Sequence, residues 1–185
     1  MITLHSIRVR VYYEDTDAGG IVYYANYLRF FERARTDWLR AVGISQQELA
    51  RVEGFNLVVR DCAVQYLRPA RLDDLLEVEV GLADPAADIG RASLRFAQRA
   101  LRLDGAGGTA RAGGPNGSDG SDGSDGSGGA EDATVLATGT VRVACVDRRS
   151  GRPVALPRGI TEIISQQVSM QHSTRVTPDG TAQQQ

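Results

Sequence analysis

Five segments of the chain, "IRVRVYY", "LVVRDCAVQY", "LLEVEVGL", "RASLRFAQRAL" and "TGTVRVACV", alternate apolar and polar residues with a period of two. That period sends successive side chains to opposite faces, so each segment reads as a strand with one buried face. Between the first and second, Leu28, Phe31, Trp38, Leu39 and Val42 recur at helical spacing, which predicts one long helix from about Tyr24 to Val42. Gly43 follows as its stop signal. Such a helix is about 28 Å long, enough to cross a five-stranded sheet, and its aromatic residues occupy much of its circumference. A short helical turn near "ISQQELARV" is expected after it. One strand, one long helix and four more strands predict an α+β fold, a five-stranded antiparallel sheet wrapped around one central helix. The open edges of such a sheet invite pairing with a second copy, so a homodimer or homotetramer is expected.

Composition limits what this fold can do. The chain has 185 residues, 42% of them apolar, which suits one domain with a core of its own. We expect that domain to span residues 1–165. Residues 105–130 hold eleven of the 21 glycines and a DGS repeat, and too few apolar groups to offset ordering of the backbone. They read as a disordered Gly/Ser/Asp insert in a hairpin between two strands, a loop extension that costs only about 2 kcal/mol of closure entropy. Residues 166–185 are polar and read as a disordered tail. The formal charge of −2 gives no electrostatic footprint for nucleic acid or an anionic membrane. No leader-like segment opens the chain and no apolar run is long enough to span a bilayer, so a cytoplasmic location is expected. Cys62 and Cys145 stand alone in apolar segments, without metal or redox spacing, and read as buried thiols.

The chemistry concentrates in "YYEDTDAGGIVYYANYLRFFERAR", where three carboxylates and two glycines precede the helix. Asp17 lies just ahead of the expected helix start, whose unpaired N–H groups and dipole favour negative charge. Gly19 and Gly20 let the chain bend tightly and let another molecule approach its backbone. That arrangement can hold an acyl carbonyl, with the Tyr24 N–H polarising its oxygen and the Asp17 carboxylate facing its carbon, ready to attack or to activate a water. The same residues also suit an ordinary solvated turn and cap. Histidine occurs only as His5, ahead of the first predicted strand, and His172, in the predicted tail, so Ser/His and Cys/His schemes lack an imidazole.

The pattern Asp-x-x-Gly-Ile-Val-x-Tyr-x-x-Tyr, from Asp17 to Tyr27, together with "FNLVVRDCAVQYLRPARLDDLLEVEV" and "ACVDRRSGRPVALP", resembles hotdog-fold acyl-CoA thioesterases of the 4-hydroxybenzoyl-CoA thioesterase type. The similarity is greatest to the Tol-Pal-associated branch and covers about residues 8–160 apart from the insert. It implies hydrolysis of an acyl-CoA, short-chain or aromatic, or of an acyl group on an acyl carrier protein. It also implies that Asp17 is the catalytic carboxylate and that the sites lie at subunit boundaries, and no metal or cofactor is called for. The Tol-Pal branch usually carries His where this chain has Tyr24, whereas the hydroxybenzoyl type carries Tyr; either supplies the same backbone N–H.

By the same resemblance Gly20 lies against the substrate, and Arg91, Ser93 and Arg152 match positions that hold the nucleotide end of coenzyme A, where a planar guanidinium suits phosphate. Arg60 and Arg68 are weaker candidates for that task. Some hotdog thioesterases carry the catalytic carboxylate on the helix, which makes Glu32 a competitor, although Glu32 and Arg35 are also spaced to pair with each other. The rival readings are a noncatalytic acyl-CoA or acyl-carrier binding scaffold of the cell envelope, and a hydratase, which needs an Asp and His pair.

Overall fold

In the computed structural model the described residues are 1–103 and 133–175, with side chains described to residue 171. The insert expected at 105–130 and the last ten residues lie outside them. Five strands form one antiparallel sheet in the order β1-β3-β4-β5-β2. They are β1 (Ile2–Arg10), β2 (Phe55–Tyr66), β3 (Leu75–Leu82), β4 (Ser93–Leu103) and β5 (Ala133–Asp147). The helices are α1 (Asn26–Ala41), the short α2 (Gln46–Glu48) and α3 (Pro85–Asp88), and the C-terminal α4 (Arg158–Arg175).

The alternation in the sequence sets the two faces of the sheet. Leu76, Val78, Val80 and Leu82 of β3 are fully buried against α1, while Glu79 points outward and meets Arg99 of β4 at 2.6 Å. On β4, Leu94, Phe96, Gln98 and Ala100 take the inner face. The buried face of α1 carries Tyr27, Phe30, Phe31, Ala34, Trp38 and Leu39. Trp38 meets Phe96 edge to face with ring centres 5.6 Å apart, a geometry that favours the aromatic quadrupoles. Gly43, at φ +79°, ends the helix as expected, with its N–H on the Arg40 carbonyl and that of Ile44 on Leu39.

Several expectations need correction. Residues 166–175 are helical rather than a free tail. Ile160, Ile164 and Val168 recur every four residues and form one apolar stripe that packs on the core; the glutamines and serines between them hid it. Gln167 accepts the Trp38 Nε1–H at 3.0 Å, and Gln171 donates to the Thr3 carbonyl. β1 begins at Ile2, so His5 lies within it and bonds Asp37 of α1 at 2.9 Å. Of the two thiols, Cys145 is buried but Cys62 is exposed on β2. Glu32 and Arg35 make no ion pair: Glu32 accepts the Thr36 hydroxyl at 2.6 Å, and Arg35 turns inward to Gln98.

β1 and β2 are the outer strands. β2 pairs only with β5 along its length, and most of its side chains are exposed, in contrast to the buried inner faces of β3 and β4.

Candidate active site

The acidic turn is anchored from within. Asp15 is buried, and its carboxylate accepts the Tyr12 N–H at 2.9 Å. Its carbonyl accepts both the Tyr23 N–H and the Asn26 side-chain N–H, each at 2.9 Å. Asn26 is buried and opens α1, so one residue ties the acidic turn to the helix entrance. Asn26→Ala is expected to cost about 1–2 kcal/mol, read as a lower denaturant midpoint, and to reduce turnover by loosening the turn that carries Asp17.

From that anchor the chain makes a tight reversal. The Asp17 N–H donates to Ile21 and its carbonyl accepts the Gly20 N–H, with Gly20 at φ +69°, a left-handed conformation that glycine adopts without a Cβ clash. The carboxylate of Asp17 projects to the surface, where Oδ1 accepts the Gly19 N–H at 2.8 Å. Its other oxygen has no hydrogen-bond partner among the described residues and is open to an incoming group.

Asp17 lies on a cleft of about 510 Å³ together with Val22, Tyr24, Tyr27, Tyr66 and Arg68. The helix starts two residues later than expected, at Asn26, so Tyr24 sits ahead of it rather than at its first turn. The consequence for the chemistry is small. Its N–H donates to no acceptor among the described residues, and the residue is part of the cleft lining. Its carbonyl accepts the Tyr66 hydroxyl at 3.1 Å, which holds the Tyr24 peptide in place from β2.

Three tyrosines keep their protons more tightly than usual. The Tyr23 hydroxyl is pushed up by its hydrogen bond with Tyr24, aided by burial and the Asp17 charge. Those of Tyr27 and Tyr66 are raised first by burial. A phenol raised in the folded state leaves stability intact below its unfolded value near pH 10 and withdraws it as pH rises toward the folded value. Tyr27→Phe is therefore expected to flatten part of the stability loss above about pH 10, as followed by thermal melts across alkaline pH.

The residues expected at the nucleotide end lie apart from the Asp17 cleft. Arg91 and Ser93 enter β4 beside the 152–156 segment: the Arg91 carbonyl accepts the Leu156 N–H, and that of Arg152 accepts the Asp147 N–H. Both arginine side chains are exposed. Ser93 pairs with Ala144, whereas Tyr66, which lines the Asp17 cleft, pairs with Ala137, the partner of Ala100. Seven strand residues, about 23 Å, separate the two places within one subunit. Arg68, a weaker candidate on sequence, is the arginine that lines the Asp17 cleft, and Arg60 lies on exposed β2. Asp15, Asn26 and Tyr66 were missed, because neither spacing nor composition marks them. Among the described residues no group of three His, Cys, Asp or Glu side chains is placed to hold a metal ion, and no helix is long and apolar enough to cross a membrane.

A sheet curled round one helix, with a carboxylate cleft at the helix entrance, defines a hotdog-fold protein. Residues 11–164 match the thioesterase-like superfamily, and the chain belongs to that family. It is 38% identical to the acyl-CoA thioesterase YbgC of Haemophilus influenzae over 155 residues, 84% of this chain and 90% of that one. A probable thioesterase from Bartonella henselae is 27% identical in structure-based comparison, with a TM-score of 0.57 over 83% of this chain and 97% of the other. A 4-hydroxybenzoyl-CoA thioesterase mutant solved with 4-hydroxybenzoyl CoA shares the fold at a TM-score of 0.66 and 16% identity, over 86% and 96% of the two chains.

Proposed function

We propose that this protein hydrolyses acyl-CoA thioesters, with Asp17 as the reacting carboxylate and the Tyr24 N–H as donor to the carbonyl oxygen. The observation that supports the reading is the cleft itself, lined by both Asp17 and Tyr24, whose second carboxylate oxygen and whose N–H respectively have no hydrogen-bond partner among the described residues. The thioester carbonyl accepts from Tyr24, and the resulting polarisation exposes its carbon to the Asp17 oxygen or to a water that Asp17 deprotonates. When Asp17 attacks, the C–S bond breaks to leave an Asp17–acyl anhydride that a water then hydrolyses. When water attacks, the C–S bond breaks directly to the acid. On either route the coenzyme A thiolate takes a proton and leaves as the thiol. Tyr27, Tyr66 and Val22 give the acyl end an apolar wall, while Arg68 is placed for a phosphate or for the leaving thiolate.

The active unit is a homodimer or homotetramer. Two features support this: β2 offers an open, exposed edge, and the resemblance implies sites at subunit boundaries, with Arg91, Ser93 and Arg152 standing apart from Asp17 of the same subunit. A second copy brings the two ends together. Arg91→Ala combined with Arg152→Ala is expected to raise KM for acyl-CoA about tenfold and leave kcat within about twofold, since phosphate contacts bind ground and transition states alike. Mixing that double variant with Asp17→Asn and re-associating the subunits restores turnover with the wild-type KM if each site draws on two copies.

The deciding assay is release of free thiol from a panel of short, long and aromatic acyl-CoAs and acyl carrier protein thioesters. Turnover with at least one supports the enzyme. Saturable binding of acyl-CoA with no turnover of any would favour the noncatalytic scaffold.

A further inference from the structure

Helix α1 does not fill the concave face of the sheet evenly. On the side of β2, β4 and β5 a slot of about 190 Å³ remains, walled mainly by Trp38, Leu39, Leu57, Val59, Leu94 and Phe96, and Arg35 forms part of its lining. It shares no lining residue with the Asp17 cleft.

Arg35 gives the slot its chemistry. The residue is 9% exposed, and its Nη1–H donates to Gln98 Oε1 at 2.6 Å. Gln98 is itself fixed by donation to the Phe31 carbonyl at 2.9 Å. No carboxylate lies within ion-pairing distance of Arg35 among the described residues. Glu32, three residues earlier at the slot's rim, is engaged by Thr36. Among the described residues no enclosed side-chain nitrogen lacks a partner, so the guanidinium nitrogens that do not bond Gln98 keep some accessible surface, and Arg35 is part of the slot's lining. Burial pushes the Arg35 guanidinium down from the usual arginine range, against the fields of Glu32 and Cys62, yet an arginine remains charged. A buried cation without an anion is costly, and a carboxylate that forks onto it relieves the cost.

We propose that this slot binds a small carboxylic acid, with its carboxylate on Arg35 and its apolar body between Trp38, Phe96 and Leu57. At about 30 Å³ per water-sized group the slot holds about six non-hydrogen atoms, the body of benzoate or hexanoate. The inference rests on the proposed function only in that such acids are the product class of acyl thioester hydrolysis. Binding itself needs no turnover, and the Asp17 cleft takes no part in it.

Trp38 is the chain's one tryptophan and reports directly on the slot. Its emission is followed while wild type is titrated with hexanoate, with benzoate and with their methyl esters at constant ionic strength. The expected result is a saturable change with one or both acids, at least tenfold tighter than with the corresponding ester, and unchanged in Asp17→Asn. The identity of the acid that binds separates an aliphatic from an aryl ligand. Binding is expected to weaken at least tenfold in Arg35→Met and in Val59→Phe, which fills the slot and keeps the guanidinium; circular dichroism identifies any variant that fails to fold. No saturable change with either acid, equal affinity for acid and ester, or undiminished binding in a folded Arg35→Met overturns the proposal. A protein that hydrolyses no acyl-CoA but gives the expected titration would sink the proposed function and leave this site standing.

Discussion

Asp17→Asn is expected to lower kcat for acyl-CoA hydrolysis by about 10³-fold or more, the range of a lost general base or nucleophile, with ligand affinity changed less than about threefold. The asymmetry follows from geometry. The exchange keeps the side chain's size and leaves an oxygen to accept the Gly19 N–H, the one hydrogen bond the carboxylate makes among the described residues, so the turn keeps its shape. The Tyr24 N–H and the tyrosine wall of the cleft also remain, and with them the polarisation of the carbonyl and most of the binding. What disappears is the charged oxygen that, in the proposed mechanism, forms the new bond or takes a proton from water. Binding is measured by calorimetry on the variant, and turnover by thiol release on both proteins. A variant that keeps more than about a tenth of the wild-type kcat would shift the chemistry to another group, with Glu32 on α1 the next carboxylate to test.

Gly139→Val carries the largest expected loss of stability, about 3 kcal/mol, seen as a fall in Tm of roughly 6–12 °C for a chain of this size. Gly139 lies on the inner face of β5, paired with Gln98 on one side and Val64 on the other. A Cβ there would stand 2.7 Å from Cε2 and 3.2 Å from Cδ2 of Phe31, closer than carbon atoms pack. The ring cannot simply step aside. Phe31 is fully buried, and its carbonyl is held by Gln98 at 2.9 Å, so the clash is relieved only by moving α1. Because Tyr24 and Asn26 lead into that helix, activity is expected to fall along with stability. Gly159 provides the contrast: it lies in α4 with open space around it, and Gly159→Ala is expected to raise stability by about 0.5 kcal/mol. Equal effects at the two positions would show that the close approach of α1 to β5 has no energetic weight.

The legible parts of the molecule were those written in local pattern. Period-two alternation located all five strands, and the aromatic helix was found to within two residues at its start, because burial on one face imposes both periods directly. The C-terminal helix was not found, since three apolar residues four apart are a faint signal among glutamines and serines. Its reason for being helical is tertiary: Ile160 and Ile164 enter the core and Gln167 satisfies the indole of Trp38. At the site, Asp17, Gly20 and Tyr24 stood out because a carboxylate, a turn glycine and a helix entrance are neighbours in the chain. Asp15 and Tyr66 did not stand out. One is a buried acid in a run that reads as solvated, and the other reaches Tyr24 from 42 residues away. The same limit applies to Arg35, whose spacing suggested a pair with Glu32 while the three-dimensional packing offered Gln98 instead.

The central claim is that the side chain at position 17 and the Tyr24 N–H converge on one acyl carbonyl. The most direct measurement is a crystal structure of Asp17→Asn with an intact acyl-CoA bound. The account predicts the carbonyl oxygen about 3 Å from the Tyr24 nitrogen, and the side chain at position 17 within about 3.5 Å of the carbonyl carbon. A thioester bound away from this cleft, or bound with the side chain at position 17 turned into solvent, would contradict it.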